Sequence, residues 1–198
     1  MTVLTLVTDR RRSREPVPEL CRAAARAGID WIQVREKDLD GRGLLALARR
    51  VVASVEGTAA RVLVSSRPDV ARLSGAHGVQ LPEDGLPVAE VKRAFPELIV
   101  GASRHDAPGA RSAGLSGADF VLVGPLFASP GKESQALGEA AFAEAARAAG
   151  IPVHAIGGID AGNARDAVRA GAAGVAAIRP FLADAEAAVH ALRRALEE

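Results

Sequence analysis

Ile151-Pro-Val-His-Ala-Ile-Gly-Gly-Ile159 is an apolar run of strand length, opened by proline and closed by two glycines. It reads as a buried parallel strand whose terminal Gly157-Gly158 hands bare backbone N–H groups to the start of the next helix, where an anion is favoured. The next such run, Gly174-Val-Ala-Ala-Ile-Arg179, repeats the pattern and ends in a guanidinium. Together the two predict a phosphate gripped between Gly157 and Gly158 on one side and Ile178 and Arg179 on the other.

Outward from these runs, one unit recurs along the chain: an Ala-, Arg- and Leu-rich stretch, a glycine, then a short apolar strand. Arg22–Gly28 precedes Trp31-Ile-Gln-Val-Arg35, Ser112–Gly117 precedes Phe120–Val123, and Ala145–Gly150 precedes the 151 strand. The glycine stops each helix, and this alternation means parallel strands joined by crossover helices. The pattern predicts strands at 3–8, 30–36, 61–65, 77–81, 98–103, 118–124, 151–157 and 173–178. It predicts helices at 15–27, 41–55, 67–74, 87–95, 107–116, 138–149, 161–170 and 183–197. Eight of each is a single (β/α)8 TIM barrel spanning 1–198. The alternative is an open doubly wound sheet, which would want a Gly-x-Gly-x-x-Gly turn after the first strand, where the chain has Thr8-Asp-Arg-Arg11.

Composition agrees with one α/β domain: 198 residues, 48% hydrophobic and 25% charged. A net charge of +1, scattered Lys and Arg and 3% aromatic residues give no basic stripe or stacking platform, so no nucleic-acid partner is expected. The single cysteine, Cys21, makes neither a disulfide nor a zinc cluster. No run approaches the ~20 apolar residues of a membrane span, and no basic leader opens the chain, so a cytoplasmic protein without a membrane partner is expected.

Barrel chemistry sits at the strand C-terminal ends. There the second strand closes Gln33-Val-Arg-Glu-Lys37, and period-two alternation sends Gln33, Arg35 and Lys37 to one face and Val34 and Glu36 to the other. The trio suits a phosphorylated ligand, or else forms a solvated, ion-paired strand end. In the Gly-, Pro- and Ser-rich segment Gly124–Gly138, Ser129 and Lys132 could reach a phosphate or carboxylate, or belong to an ordinary loop. Ser103 and His105 end the fifth strand, and His105 is either a proton-transfer group or a helix-start residue. His154 sits mid-strand below the glycine turn and reads as a hydrogen-bonded core residue.

Gln-x-Arg-Glu-Lys, Ser-x-His, Val-Gly-Pro-Leu-Phe-x-Ser-Pro-x-Lys and Ala-Ile-Gly-Gly-Ile, in this order, resemble the thiamine phosphate synthase superfamily of (β/α)8 barrels across nearly the whole chain. For the synthase, a transferase, the resemblance implies that Gln33, Arg35 and Lys37 hold a pyrimidine diphosphate and that Ser103, Ser129, Lys132 and Gly158 hold a thiazole phosphate. It also implies two acids carrying magnesium, but the matching positions read Ser65-Ser66 and Gly85. Val79-Gln-Leu-Pro82 and the missing acids resemble the TenI-type thiazole tautomerases, isomerases that move a proton without a metal. Against this, Pro125 stands where the resemblance puts the tautomerase histidine.

The first expectation is therefore a metal-free thiazole tautomerase with His105 as base and Lys132 as anchor. Its substrate-binding set is Gln33, Arg35, Lys37, Ser65, Ser103, Ser129, Gly157, Gly158, Ile178 and Arg179, with no metal ligand and no cofactor. The alternatives are a thiamine phosphate synthase, the only reading that brings in magnesium, and a non-catalytic barrel that binds thiazole or thiamine phosphate. The partner expected in every case is a phosphorylated thiazole, and a homodimer is the assembly considered.

Overall fold

Short runs of apolar and β-branched residues become the strands β1 (Val3–Val7), β2 (Trp31–Val34), β3 (Arg61–Ser65), β4 (Gly78–Leu81), β5 (Ile99–Arg104), β6 (Phe120–Val123), β7 (Val153–Ile156) and β8 (Gly174–Ala177). Each is followed by a helix: α1 (Val17–Arg26), α2 (Gly41–Ser54), α3 (Pro68–Ser74), α4 (Val88–Ala94), α5 (Ala107–Leu115), α6 (Gly138–Ala149), α7 (Ala164–Arg169) and α8 (Ala185–Glu197). The structure is a computed structural model, and it describes residues 1–128 and 136–197. Consecutive strands pair in parallel, and β1 also pairs with β8, from Val3 opposite Gly174 to Leu6 opposite Ala177. That last ladder closes the ring and rules out the open doubly wound sheet.

A closed parallel sheet buries both faces of every strand. Outward-facing Leu4, Leu6, Ile32 and Val34 pack in one core with Ala24, Ala48, Ala71, Ala110, Ala145 and Ala164 of the helices, all fully buried. Alanine at those contacts lets the helices lie close to the barrel. Inside, Trp31, Phe120 and His154 form an aromatic cluster with ring centroids 4.7–5.1 Å apart. Above it, Val7, Leu122 and Ala176, with Ile156 and Ile178 packed on them, make a small apolar floor.

The glycines that end α1, α5 and α6 have positive φ, at 93° (Gly28), 86° (Gly117) and 68° (Gly150), as helix stops require. Asp40 and Asp106 cap α2 and α5, their carboxylates accepting from Gly43 and Gly109 N–H at 2.7 Å. The predicted helix at 161–170 starts only at Ala164. Before it, Gly162 N–H donates to the Asp160 carboxylate (2.8 Å) and Asp160 N–H donates to Asn163 Oδ1 (2.9 Å), a side-chain-stabilised turn that competes with helix.

Candidate functional site at the barrel mouth

A cavity of about 2060 Å³ opens at the C-terminal ends of the strands and draws on the loops after every one of them. Gln33 reaches up from inside β2 but is only 6% exposed, because its amide Nε2 donates to Ser65 Oγ at 2.7 Å. Gln80 on β4, 2% exposed, does the same for Ser103 Oγ at 2.9 Å. Each serine oxygen thus accepts from an amide, which leaves its own O–H free to donate into the cavity, a suitable partner for an anionic oxygen. Gln80 was absent from the expected site. A polar residue in a buried parallel strand was the available signal.

The alternation expected at the end of β2 does not hold. Extended structure stops at Val34, so Arg35, Glu36 and Lys37 all line the cavity, with Glu36 the most buried of the three. Arg35 N–H donates to Thr8 Oγ1 (3.0 Å), Thr8 O–H donates to Glu36 (2.6 Å), and Arg10 N–H donates to both Glu36 oxygens (3.1 and 3.0 Å). Glu36 therefore ties the β1–α1 loop to the end of β2, while Arg35 and the exposed Lys37 remain cavity cations.

Across the mouth, Gly157 and Gly158 have φ of 97° and 66°. A Cβ at 157 would lie 2.4 Å from Pro125 Cβ, and one at 158 would lie 2.5 Å from the Ala128 carbonyl oxygen. Gly158→Val would therefore disturb the free protein as well as any ligand. Positive φ and the packed Phe127–Ala128 backbone mean that even Gly158→Ala should lower apo stability by about 2 kcal/mol in thermal or denaturant unfolding. Arg179 is the cleaner probe. It is exposed at the start of a 3-10 turn (Arg179–Phe181), beside Ile178, and both line the cavity. Arg179→Ala should weaken phosphate binding by ~1.5–3 kcal/mol in calorimetry while the melting temperature of the free protein stays put.

His105 follows β5, and its Nδ1 hydrogen-bonds the Gly124 carbonyl. Its Nε2 lies 3.7 Å from the Glu83 carboxylate in the loop after β4, and both side chains are more than half exposed in the mouth. The other histidines are elsewhere. His77 Nδ1 accepts from Val62 N–H (3.1 Å) at the opposite end of the barrel, and His190 is exposed on α8. His154 is 2% exposed, in the core as expected, but its Nδ1 has no hydrogen-bond partner among the described residues, against the expectation of a satisfied one. It packs on aromatic rings, and burial pulls its pKa down to about 4. Ser129 and Lys132 lie outside the described residues.

The magnesium implied by the synthase resemblance finds no fitting donors. Ser66 is exposed with φ 65°, a left-handed position that suits aspartate better than most side chains but here carries only a hydroxyl. Gly85 N–H donates to the Pro82 carbonyl at 3.1 Å, and a Cβ at 85 would lie 2.8 Å from the Pro82 ring, so a carboxylate there requires a different loop. The nearby Asp69 is held by Arg67 at 2.8 and 2.5 Å, and those hydrogen bonds keep its pKa below the usual carboxylate value. Among the described residues, no three acids, histidines or cysteines gather as a metal site.

The sequence pattern of the thiamine monophosphate synthase family (TMP-TENI) matches residues 4–181. A thiamine-phosphate synthase of Anaeromyxobacter dehalogenans is 44% identical over 191 residues, covering 92% of this chain and 84% of its own length. One from Methanoculleus marisnigri is 39% identical over 196 residues, covering 96% and 93%. Among solved structures, the thiamine phosphate pyrophosphorylase of Pyrococcus furiosus superposes with a TM-score of 0.90 at 31% identity, covering 99% of this chain and 96% of its own. With the closed barrel, the glycine turn after β7 and the Gln-x-Arg-Glu-Lys segment in the mouth, these matches place the chain in the thiamine monophosphate synthase family.

Proposed function

We propose that this chain is an enzyme of thiamine biosynthesis that binds a thiazole phosphate across the barrel mouth and moves a proton on it without a metal, as a thiazole tautomerase. The observation that carries the reading is the state of the two acid positions: Ser66 has no carboxylate, and the Pro82–Gly85 turn leaves no room for one. Family membership, the glycine turn of β7 and the amide-backed hydroxyls of Ser65 and Ser103 support the phosphorylated substrate. His105, with one ring nitrogen held by Gly124 and the other turned to the cavity, supports the proton transfer.

Thiamine phosphate synthesis is the second reading, and the names of the relatives favour it over the tautomerase. It would need Asp69, Glu83 or Asp84 to regroup around a divalent ion. A paired assay decides between the two: tautomerisation should proceed in excess chelator, whereas coupling should need magnesium and release pyrophosphate. A protein that turned over neither substrate yet was stabilised by thiazole phosphate would be the non-catalytic barrel.

The metal question has its own test. Calorimetry should find no micromolar magnesium site in the wild type, and finding one would revive the synthase. Ser66→Asp should be accepted without loss of stability, because aspartate tolerates the left-handed backbone. Gly85→Asp should destabilise the Pro82 turn, so Ser66→Asp combined with Gly85→Asp creates magnesium binding only if it also remodels that loop.

A further inference from the structure

We infer that, among the described residues, His105 Nε2 is a built-in proton acceptor of the mouth, and that Glu83 is the residue that positions it. A backbone carbonyl can only accept a hydrogen bond, so the nitrogen facing Gly124 O must carry the proton. In the neutral ring, that leaves the lone pair on Nε2, the nitrogen directed at Glu83 and the cavity. Three loops are joined through this one imidazole: Glu83 after β4, His105 after β5 and Gly124 after β6. The ring is also anchored next to the glycine turn after β7 and the Ser103 hydroxyl. Gly124 leads into Pro125, the residue a Cβ at Gly157 would strike, and Ser103, two residues before His105, is held by Gln80.

The separation from Glu83 has a consequence for when the pair matters. At 3.7 Å between half-exposed groups it is a loose, water-screened contact in the free protein. A ligand that covers the mouth expels water and lowers the local dielectric, which strengthens the attraction between a newly formed imidazolium and the carboxylate. Glu83 therefore favours the charged ring most when substrate is bound, and it acts through His105 without touching the reacting atoms.

The chemical use of this nitrogen rests on the tautomerase reading, whereas its geometry does not. In that use, a C–H bond of the non-aromatic ring breaks, its electron pair enters the conjugated system, and the proton forms the Nε2–H bond. The imidazolium is then held between the Gly124 carbonyl and the Glu83 carboxylate until Nε2–H breaks and the proton is returned at another carbon of the same system. Substrate and product are isomers, and no oxidant, reductant or co-reactant takes part.

The test uses the full chain labelled with 15N, studied at about pH 8, above the ordinary imidazole range. Long-range 15N–1H spectra should show His105 as the Nδ1–H tautomer with Nε2 unprotonated. Glu83→Gln should leave that tautomer and KM in place but lower kcat about 10-fold, with Glu83→Asp recovering part of the loss. An Nε2–H tautomer, or Glu83→Gln at the wild-type rate, would overturn the inference. If the spectra show the Nδ1–H tautomer while the wild type isomerises no thiazole, the nitrogen assignment stands and the tautomerase reading falls.

Discussion

Replacing His105 by alanine should lower kcat for thiazole tautomerisation by ~10²–10⁴ while KM changes about twofold or less. The magnitude is that of removing a positioned general base, ~3–5.5 kcal/mol of barrel-mouth catalysis at ~1.36 kcal/mol per tenfold. The side chain is 59% exposed, so its loss opens no core cavity, and unfolding measurements on the variant should match the wild type. The proposed phosphate grip, on the β7 and β8 loops, is untouched by this substitution, so ligand-induced stabilisation should persist in the inactive variant. A His105→Ala enzyme at full rate would transfer the proton role to water or to Lys132. Substitution of Lys132 itself should mainly raise KM, as expected of an electrostatic anchor.

His154 by itself should lower stability by about 3 kcal/mol as the pH drops from 7 to 4. Its pKa is lowered from the ordinary 6.5 to about 4, first by burial and against a weaker opposing pull from Asp30. At ~1.36 kcal/mol per pH unit, that difference is worth about 3 kcal/mol. The sign follows from proton uptake. Between about 6.5 and 4 the unfolded chain binds a proton at this site and the folded chain does not, so acid favours unfolding. The contribution is complete above about 6.5, declines through that window and levels off below about 4. His77, whose pKa burial also lowers and whose Nδ1 accepts from Val62 N–H, should add to the fall in the same direction. Urea unfolding at several pH values tests this against His154→Phe, which keeps a ring beside Trp31 and Phe120 and removes the titration. A variant whose stability declines with acid as steeply as the wild type's would show that His154 is not responsible.

The comparison between the two histidines shows how far the sequence reads into function. Neither the residue type nor the position of either one reveals that His154 is sealed among rings with an unpartnered nitrogen, or that His105 has its proton placed by a carbonyl from the next loop. Placing them in core and mouth was possible, because strand length and the glycine turn locate the two ends of β7 and β5.

The sequence by itself determined the barrel: the recurring helix, glycine and apolar strand set eight units, and the glycines that read as stops took the left-handed backbone expected of them. It also located the glycine turn at Gly157-Gly158 in the mouth, since a glycine pair after a buried strand is a local signal. Only the tertiary structure decided what supports the site. Gln33 holds Ser65 across 32 residues, Gln80 holds Ser103 across 23, and Thr8 holds Glu36 across 28. Periodicity and turn chemistry are properties of neighbouring residues. These partnerships depend on the register between strands and on where each strand stops, both fixed only when the sheet closes. For the same reason the sequence, which offered Gly158 as bare backbone for an anion, did not show it packed against the loop after β6, a contact that exists only in the assembled mouth.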